Sequence, residues 1–160
     1  MTAQAKEEAY VLAQQKVFGL TEGETDTCLK MASLCAILKQ ALPYLYWVGF
    51  YRVTADDKNL IIGPYQGTPA CLHIPFDKGV CGTAASTLET QLVADVHSFP
   101  GHIACDPASQ SELVIPIINT NEELIAVLDL DSDRPSAFCE TDKSYLESIC
   151  SSLFSDAKRF

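Results

Sequence analysis

Three cysteines, Cys71, Cys81 and Cys105, stand beside glycines, prolines and histidines rather than inside apolar periodic runs. Their contexts are Gly67-Thr68-Pro69-Ala70-Cys71, Gly79-Val80-Cys81-Gly82 and Gly101-His102-Ile103-Ala104-Cys105-Asp106. In polar, turn-rich surroundings a thiol can be exposed and stabilised as the thiolate, the form that acts as a nucleophile. The other four of the seven cysteines differ: Cys28, Cys35 and Cys150 fall in helical patterns, and Cys139 lies in the polar lead-in to the last helix. A helix predicted to open at Cys81-Gly82-Thr83 would set the Cys81 sulfur near free N–H groups and the positive dipole end, lowering its pKa from about 8.5. Physical reasoning therefore nominates Cys81 as a reactive thiolate, with an equal case for a small buried residue in a tight turn. A histidine could activate Cys105 as a base, since His102 and His97 are near in sequence. The plainer reading of His73, His97 and His102 as loop residues bonded to backbone is preferred.

Two further constellations carry chemistry. In Leu124-Ile125-Ala126-Val127-Leu128-Asp129-Leu130-Asp131, strand alternation places Asp129 and Asp131 on one face with Ile125 and Val127. Glu112 holds a similar position at the start of the preceding strand. Solvated strand ends explain all three acids. Facing a pocket, they would instead bind an ammonium group, and mutual repulsion would raise one pKa so that it donates a proton. Trp47 and Tyr51, four apart on a strand, share a face; they are either core packing or the wall of an apolar pocket. Zinc is a weaker reading. Cys71, His73, Cys81, His97, His102 and Cys105 are all ligand types, but only His97-x₄-His102 approaches a structural-zinc spacing.

The elements that must position these residues follow from periodicity. Helices are predicted over about 4–18 and 24–42, the second with Cys28, Met31, Ala32, Cys35, Leu38 and Leu42 on its apolar spacing and Pro43 ending it. Strands are predicted over 44–53 and 60–63, near 71–74 and 91–94, and over 113–118 and 124–130. The last helix is predicted to open at Thr141 as N-cap, with Leu146, Ile149, Cys150, Leu153 and Phe154 on one face and Lys158 and Arg159 suiting the dipole at its end. The pattern implies one α+β domain over residues 1–160, with a central antiparallel sheet, terminal helices packed on one face and a loop-rich active-site cover on the other.

Composition narrows the function classes. The chain has 160 residues and a net charge of −10, and its eleven basic residues are scattered. That argues against nucleic acid, which is held by clustered Lys and Arg. No apolar run approaches the roughly 20 residues of a membrane span, and the N-terminus lacks the apolar core of a signal peptide. A cytoplasmic location is expected, where an odd number of cysteines stays reduced rather than forming a disulfide scaffold.

The motifs combine into a resemblance. Gly63-Pro64-Tyr65-Gln66-Gly67 with Pro69-Ala70-Cys71, Gly79-Val80-Cys81-Gly82-Thr83-Ala84, Asp95-Val96-His97 with Phe99-Pro100-Gly101-His102-Ile103-Ala104-Cys105-Asp106, Ser111-Glu112-Leu113-Val114 with Pro116, and Val127-Leu128-Asp129-Leu130-Asp131-Ser132 resemble the free methionine-(R)-sulfoxide reductases, enzymes built on a GAF domain. The similarity runs from about Trp47 to Asp131. It implies that Cys105 attacks the sulfoxide sulfur, that Cys71 resolves the resulting sulfenic acid as a disulfide, and that Cys81 assists recycling or forms an alternative disulfide. It further implies that Glu112, Asp129 and Asp131 are acids of the substrate pocket and that Trp47 and Tyr51 wall the S-methyl group. Thioredoxin is the reductant expected from the resemblance. No cofactor or metal is expected, and a homodimer is compatible with it. The resemblance favours Cys105 where dipole reasoning favoured Cys81. One departure is Asp77-Lys78, where a glycine is expected at the first position. The competing reading is a GAF module that senses a small molecule without turning it over.

Overall fold

The computed structural model describes residues 1–103 and 105–159. Helix α1 (Ala3–Leu20) opens where the Thr2 hydroxyl accepts from the Ala5 N–H at 3.2 Å. Helix α2 (Thr27–Ala41) starts three residues later than its periodicity suggests. The Asp26 carboxylate caps it, accepting from the N–H groups of Cys28 and Leu29, so its first free donors are satisfied there. Its buried stripe is Met31, Leu34, Cys35 and Leu38, whereas Cys28 and Ala32 face solvent.

Six strands follow: β1 (Trp47–Val53), β2 (Asn59–Gln66), β3 (His73–Pro75), β4 (Gln91–Val93), β5 (Ser111–Ile118) and β6 (Leu124–Ser132). They form one antiparallel sheet in the order β3-β2-β1-β6-β5-β4. Hairpins join β1 to β2 and β5 to β6, and the central β1–β6 pair brings the two halves together. Residues 44–46, predicted as strand, form the turn into β1, and Cys71 lies in the loop ahead of β3. Helix α3 (Gly79–Thr87) begins two residues earlier than predicted, so Cys81 sits inside its first turn.

Helices α1, α2 and α4 (Glu140–Leu153) cover one face of the sheet, and their apolar side chains merge with Val48, Phe50, Leu113, Ile115, Leu128 and Leu130 in one core. The other face carries α3 and the long loops over a second core containing Trp47, Tyr51, Val114 and Val127. The face alternation in β6 breaks at one point. Ile117 pairs with Ala126 but Ile118 pairs with Leu124, so Ile125 is an extra residue that turns into the helical core. Asp129 and Asp131 therefore share their face with Val127 and not, as alternation suggests, with Ile125.

The cap of helix α4 lies two residues earlier than predicted, at Cys139 rather than Thr141; the Asp142 carboxylate accepts from the Cys139 N–H at 2.7 Å. Asp142 is buried and also accepts from Lys6 Nζ at 2.6 Å, Tyr10 at 2.9 Å and Tyr44 at 2.5 Å. These bonds join α1, the turn into β1 and α4 around one charge, which the Lys6 ammonium compensates. Arg159 does not serve the α4 terminus: its Nε donates to the Leu124 carbonyl and its guanidinium pairs with Asp57. No described helix is long and apolar enough to cross a membrane.

Candidate active site

Strand register assembles the polar floor of the site. Trp47 lies opposite Asp131, and Asp131 opposite Glu112, giving one row across β1, β6 and β5. The next row is Gly49, Asp129 and Val114, and the third begins with Tyr51 and Val127. Because side chains two apart share a face, Trp47 and Tyr51 on β1 and Asp129 and Asp131 on β6 all point to the loop-covered side. Trp47, Tyr51, Cys81, Cys105, Glu112, Asp129 and Asp131 line one cavity there, together with Thr68, His102 and Ser109.

The indole of Trp47 lies flat because two glycines permit it. A Cβ on Gly49 would come within 2.4 Å of the Trp47 ring and 2.4 Å of Tyr65 Cβ. A Cβ on Gly67 would meet Trp47 Cδ1 at 2.4 Å, and its φ of +141° is one that L side chains rarely adopt. The ring stacks between Tyr51, at 6.0 Å, and Tyr65, at 5.4 Å. Its Nε1 donates to the Thr68 carbonyl at 3.0 Å, which ties the loop carrying Cys71 to β1.

Cys71 and Cys105 are joined by a disulfide with a Cα–Cα distance of 5.3 Å. Each belongs to a loop over the sheet, so 34 residues of sequence separation are closed beside the cavity, which Cys105 lines. Cys81 is unbridged and buried. Burial, followed by the nearby Asp129 and Glu112 carboxyls, pushes its thiol well above the ordinary range. This overturns the helix-dipole expectation of an acidic Cys81: a partial charge at a helix terminus is outweighed by desolvation and by acids on the facing strands. The glycine expected before Gly79 is Asp77, which adopts the left-handed conformation at φ 63° and donates its N–H to the Gly82 carbonyl. Asp tolerates that conformation better than most residues, so the turn survives the departure.

The acids disfavour one another's charge. Burial, then the neighbouring acids, raises the Glu112 and Asp129 carboxyls well above the ordinary range. Burial moves Asp131 from 3.8 to about 6, although the Ser109 hydroxyl donates to its Oδ1 at 2.7 Å. Asp129 Oδ1 is buried and accepts no hydrogen bond among the described residues. His102 Nε2 approaches Glu112 Oε2 at 3.7 Å, but burial and His97 push the imidazole down while Glu112 is pushed up. Both shifts favour the uncharged forms and so oppose an ion pair at this approach. His73 and His97 are exposed and line no part of the cavity. Cys81, Glu112 and Asp129 set donor atoms within 4.8 Å of one another, the grouping among the described residues with metal-ligand geometry. It is not the cysteine–histidine set that residue types suggested.

Sequence reasoning missed Ser109, Thr68 and the role of Asp106. Asp106-Pro107 is a recognisable turn signal, and the Asp106 carboxylate does accept from the Ala108 N–H at 2.8 Å. Nothing in the sequence indicated that its other oxygen also accepts from Thr68 Oγ1 at 2.7 Å and Tyr46 OH at 3.1 Å.

The six-stranded antiparallel sheet, helices on one face and looped-over pocket on the other define a GAF domain, and a GAF-domain family model matches residues 31–153. The chain is 40% identical over 148 residues to the free methionine-R-sulfoxide reductase of Escherichia coli, spanning 92% of this chain and 88% of that protein. To the reductase of the same name from Saccharomyces cerevisiae it is 43% identical over 136 residues, spanning 82% and 76%. The crystal structure of the Neisseria meningitidis free methionine-R-sulfoxide reductase with its substrate superposes with a TM-score of 0.89 at 37% identity, covering 94% of this chain and 89% of that one. The chain belongs to the free methionine-R-sulfoxide reductase family.

Proposed function

We propose that this protein reduces free L-methionine-R-sulfoxide to methionine by cysteine chemistry. The observation that carries the reading is the Cys71–Cys105 bridge, whose Cys105 lines a cavity together with Glu112, Asp129 and Asp131. Reduction of a sulfoxide needs a soft nucleophile at sulfur and a proton for the departing oxygen. Cys105 supplies the nucleophile as thiolate, and the carboxyl of Glu112 or Asp129, whose protonated form burial favours, supplies the proton. Oxygen passes to the Cys105 sulfur as a sulfenic acid while methionine leaves as the thioether. The Cys71 thiol then attacks that sulfur, the S–O bond breaks and water departs with the Cys71 proton, leaving the disulfide. A dithiol of the thioredoxin class returns both cysteines to the thiol state by exchange. Cys81, buried and protonated, is a reserve partner in recycling rather than the attacking group.

The acids also account for choosing the free amino acid. Asp131, with the lowest carboxyl range of the three, is the one best able to meet an α-ammonium as a carboxylate, and Trp47 and Tyr51 wall the S-methyl group. A peptide has no free ammonium to offer there.

The test is an assay with L-methionine-R-sulfoxide and a dithiol reductant, comparing wild type with Cys105→Ser and Glu112→Gln. Loss of turnover in Cys105→Ser and a strong fall in kcat for Glu112→Gln are expected. Full activity of Cys105→Ser would refute the assigned nucleophile. Binding of the sulfoxide by wild type without turnover would replace this reading with that of a sensor module.

A further inference from the structure

The two cysteines of the bridge lie on loops outside the sheet's strands, yet resolution requires their sulfurs to meet. Thr68 stands three residues before Cys71, and Asp106 directly follows Cys105. One carboxylate oxygen of Asp106 accepts from Thr68 Oγ1 at 2.7 Å and from Tyr46 OH at 3.1 Å, while the other caps the Ala108 N–H at 2.8 Å. Tyr46 is itself fixed: its N–H donates to the Asp131 carbonyl on β6 at 2.8 Å, and Lys39 Nζ donates to its carbonyl at 2.9 Å. The carboxylate thus bridges the same two loops as the disulfide and ties both to the start of the central strand β1, beside the acids.

We propose, resting on the catalytic cycle above, that Asp106 is a positioning residue for the resolving step, holding the Cys71 loop against the Cys105 loop while the disulfide is open. In the reduced enzyme the covalent tie is gone, and the Thr68–Asp106–Tyr46 hydrogen bonds remain to keep the Cys71 thiol close to the Cys105 sulfenic acid. Constraining two loops this way raises the effective concentration of one sulfur at the other. Hydrogen bonding from Thr68, Ala108 and Tyr46 also holds the Asp106 carboxyl below its ordinary range, so it stays ionised as the acceptor. The step it serves forms the S–S bond and breaks the S–O bond, with the Cys71 proton leaving in water; no outside oxidant takes part.

The experiment separates the resolving step from the first one. Cys105 in the fully reduced protein is oxidised with a stoichiometric amount of hydrogen peroxide, which yields the sulfenic acid and water without any methionine sulfoxide. Sulfenic acid on the Cys105 peptide is trapped with dimedone and disulfide formation is followed by mass spectrometry. Wild type is compared with three variants, of which Asp106→Ala and Thr68→Val are expected to form the disulfide about tenfold more slowly, the scale of one charge-assisted hydrogen bond. The third, Asp106→Asn, keeps an oxygen acceptor and should recover part of the rate. Wild-type rates in both Asp106→Ala and Thr68→Val would overturn the proposal. So would a slower reaction of Cys105 with peroxide matching the slower disulfide step, since that would mean a general disturbance of the pocket. Because peroxide replaces the sulfoxide, failure of the proposed enzymatic reaction would leave this measurement intact and appear only in the methionine assay.

Discussion

Replacing Asp131 with asparagine should stabilise the protein near neutral pH and leave it unchanged in acid. The carboxyl moves from 3.8 to about 6 on folding, chiefly because it is taken out of water. A raised carboxyl pKa means the folded chain holds its proton more tightly than the unfolded one. The cost of ionisation is therefore absent below about pH 4, grows as pH rises to about 6 and is complete above it. At about 1.4 kcal/mol per pH unit, the cost at neutral pH is about 3 kcal/mol. Asp131 keeps some contact with solvent at the cavity, and solvent screening brings that figure nearer 2 kcal/mol. The side-chain amide of the Asp131→Asn variant would still accept from Ser109, losing only the charge assistance of the 2.7 Å bond, which is about 0.5–1 kcal/mol. The expected net gain is about 1–1.5 kcal/mol at pH 7.5, or about 2–6 °C in Tm for a chain of this size. Chemical denaturation of the disulfide form at pH 4 and pH 7.5 measures it. An equal difference at both pH values, or a loss at pH 7.5, would refute the electrostatic argument. If Asp131 grips the substrate ammonium as proposed, the stabilised variant also shows a raised KM, the usual exchange of stability for function.

Gly49→Ala should cost about 1–3 kcal/mol by overpacking and raise KM for the sulfoxide, because the new methyl falls within 2.4 Å of the Trp47 ring; denaturation midpoints and steady-state kinetics check it, and unchanged values would mean the indole does not need that floor. Iodoacetamide applied to the native disulfide form at pH 8 should label Cys28 and Cys139, which are exposed, and spare Cys35, Cys81 and Cys150 until the chain is unfolded. Burial raises the Cys35 thiol to about 12 and pushes Cys81 and Cys150 up as well, so inaccessibility and weak acidity act together. Peptide mass spectrometry reads the pattern, and early labelling of Cys81 would contradict both its burial and its shifted thiol.

Residue types and spacing made much of the site legible. Period-two alternation put Trp47 with Tyr51 and Asp129 with Asp131, and the strands deliver both pairs to the cavity face. It misplaced Ile125, because a single extra residue in the β5–β6 pairing turns a side chain over, and bulges leave no mark in apolarity. Helix edges moved for a similar reason. Asp26 and Cys139 cap α2 and α4 through particular backbone donors, and the apolar spacing that announces a helix does not say where its first N–H groups find acceptors.

The sequence by itself determined which side chains were available to react: three thiols in turn-rich settings and three acids on sheet strands, because residue type and strand parity are local properties. The pairing of Cys71 with Cys105, the carboxylate bridge of Asp106, and the upward pKa shifts of Cys81, Glu112 and Asp129 were decided by the tertiary structure. A pKa depends on the water removed and the charges brought near, and a bridge depends on which loops the sheet order superposes. Both are set by residues distant in the chain, which is why the thiol that looked most acidic in its local turn is one of those the fold keeps protonated.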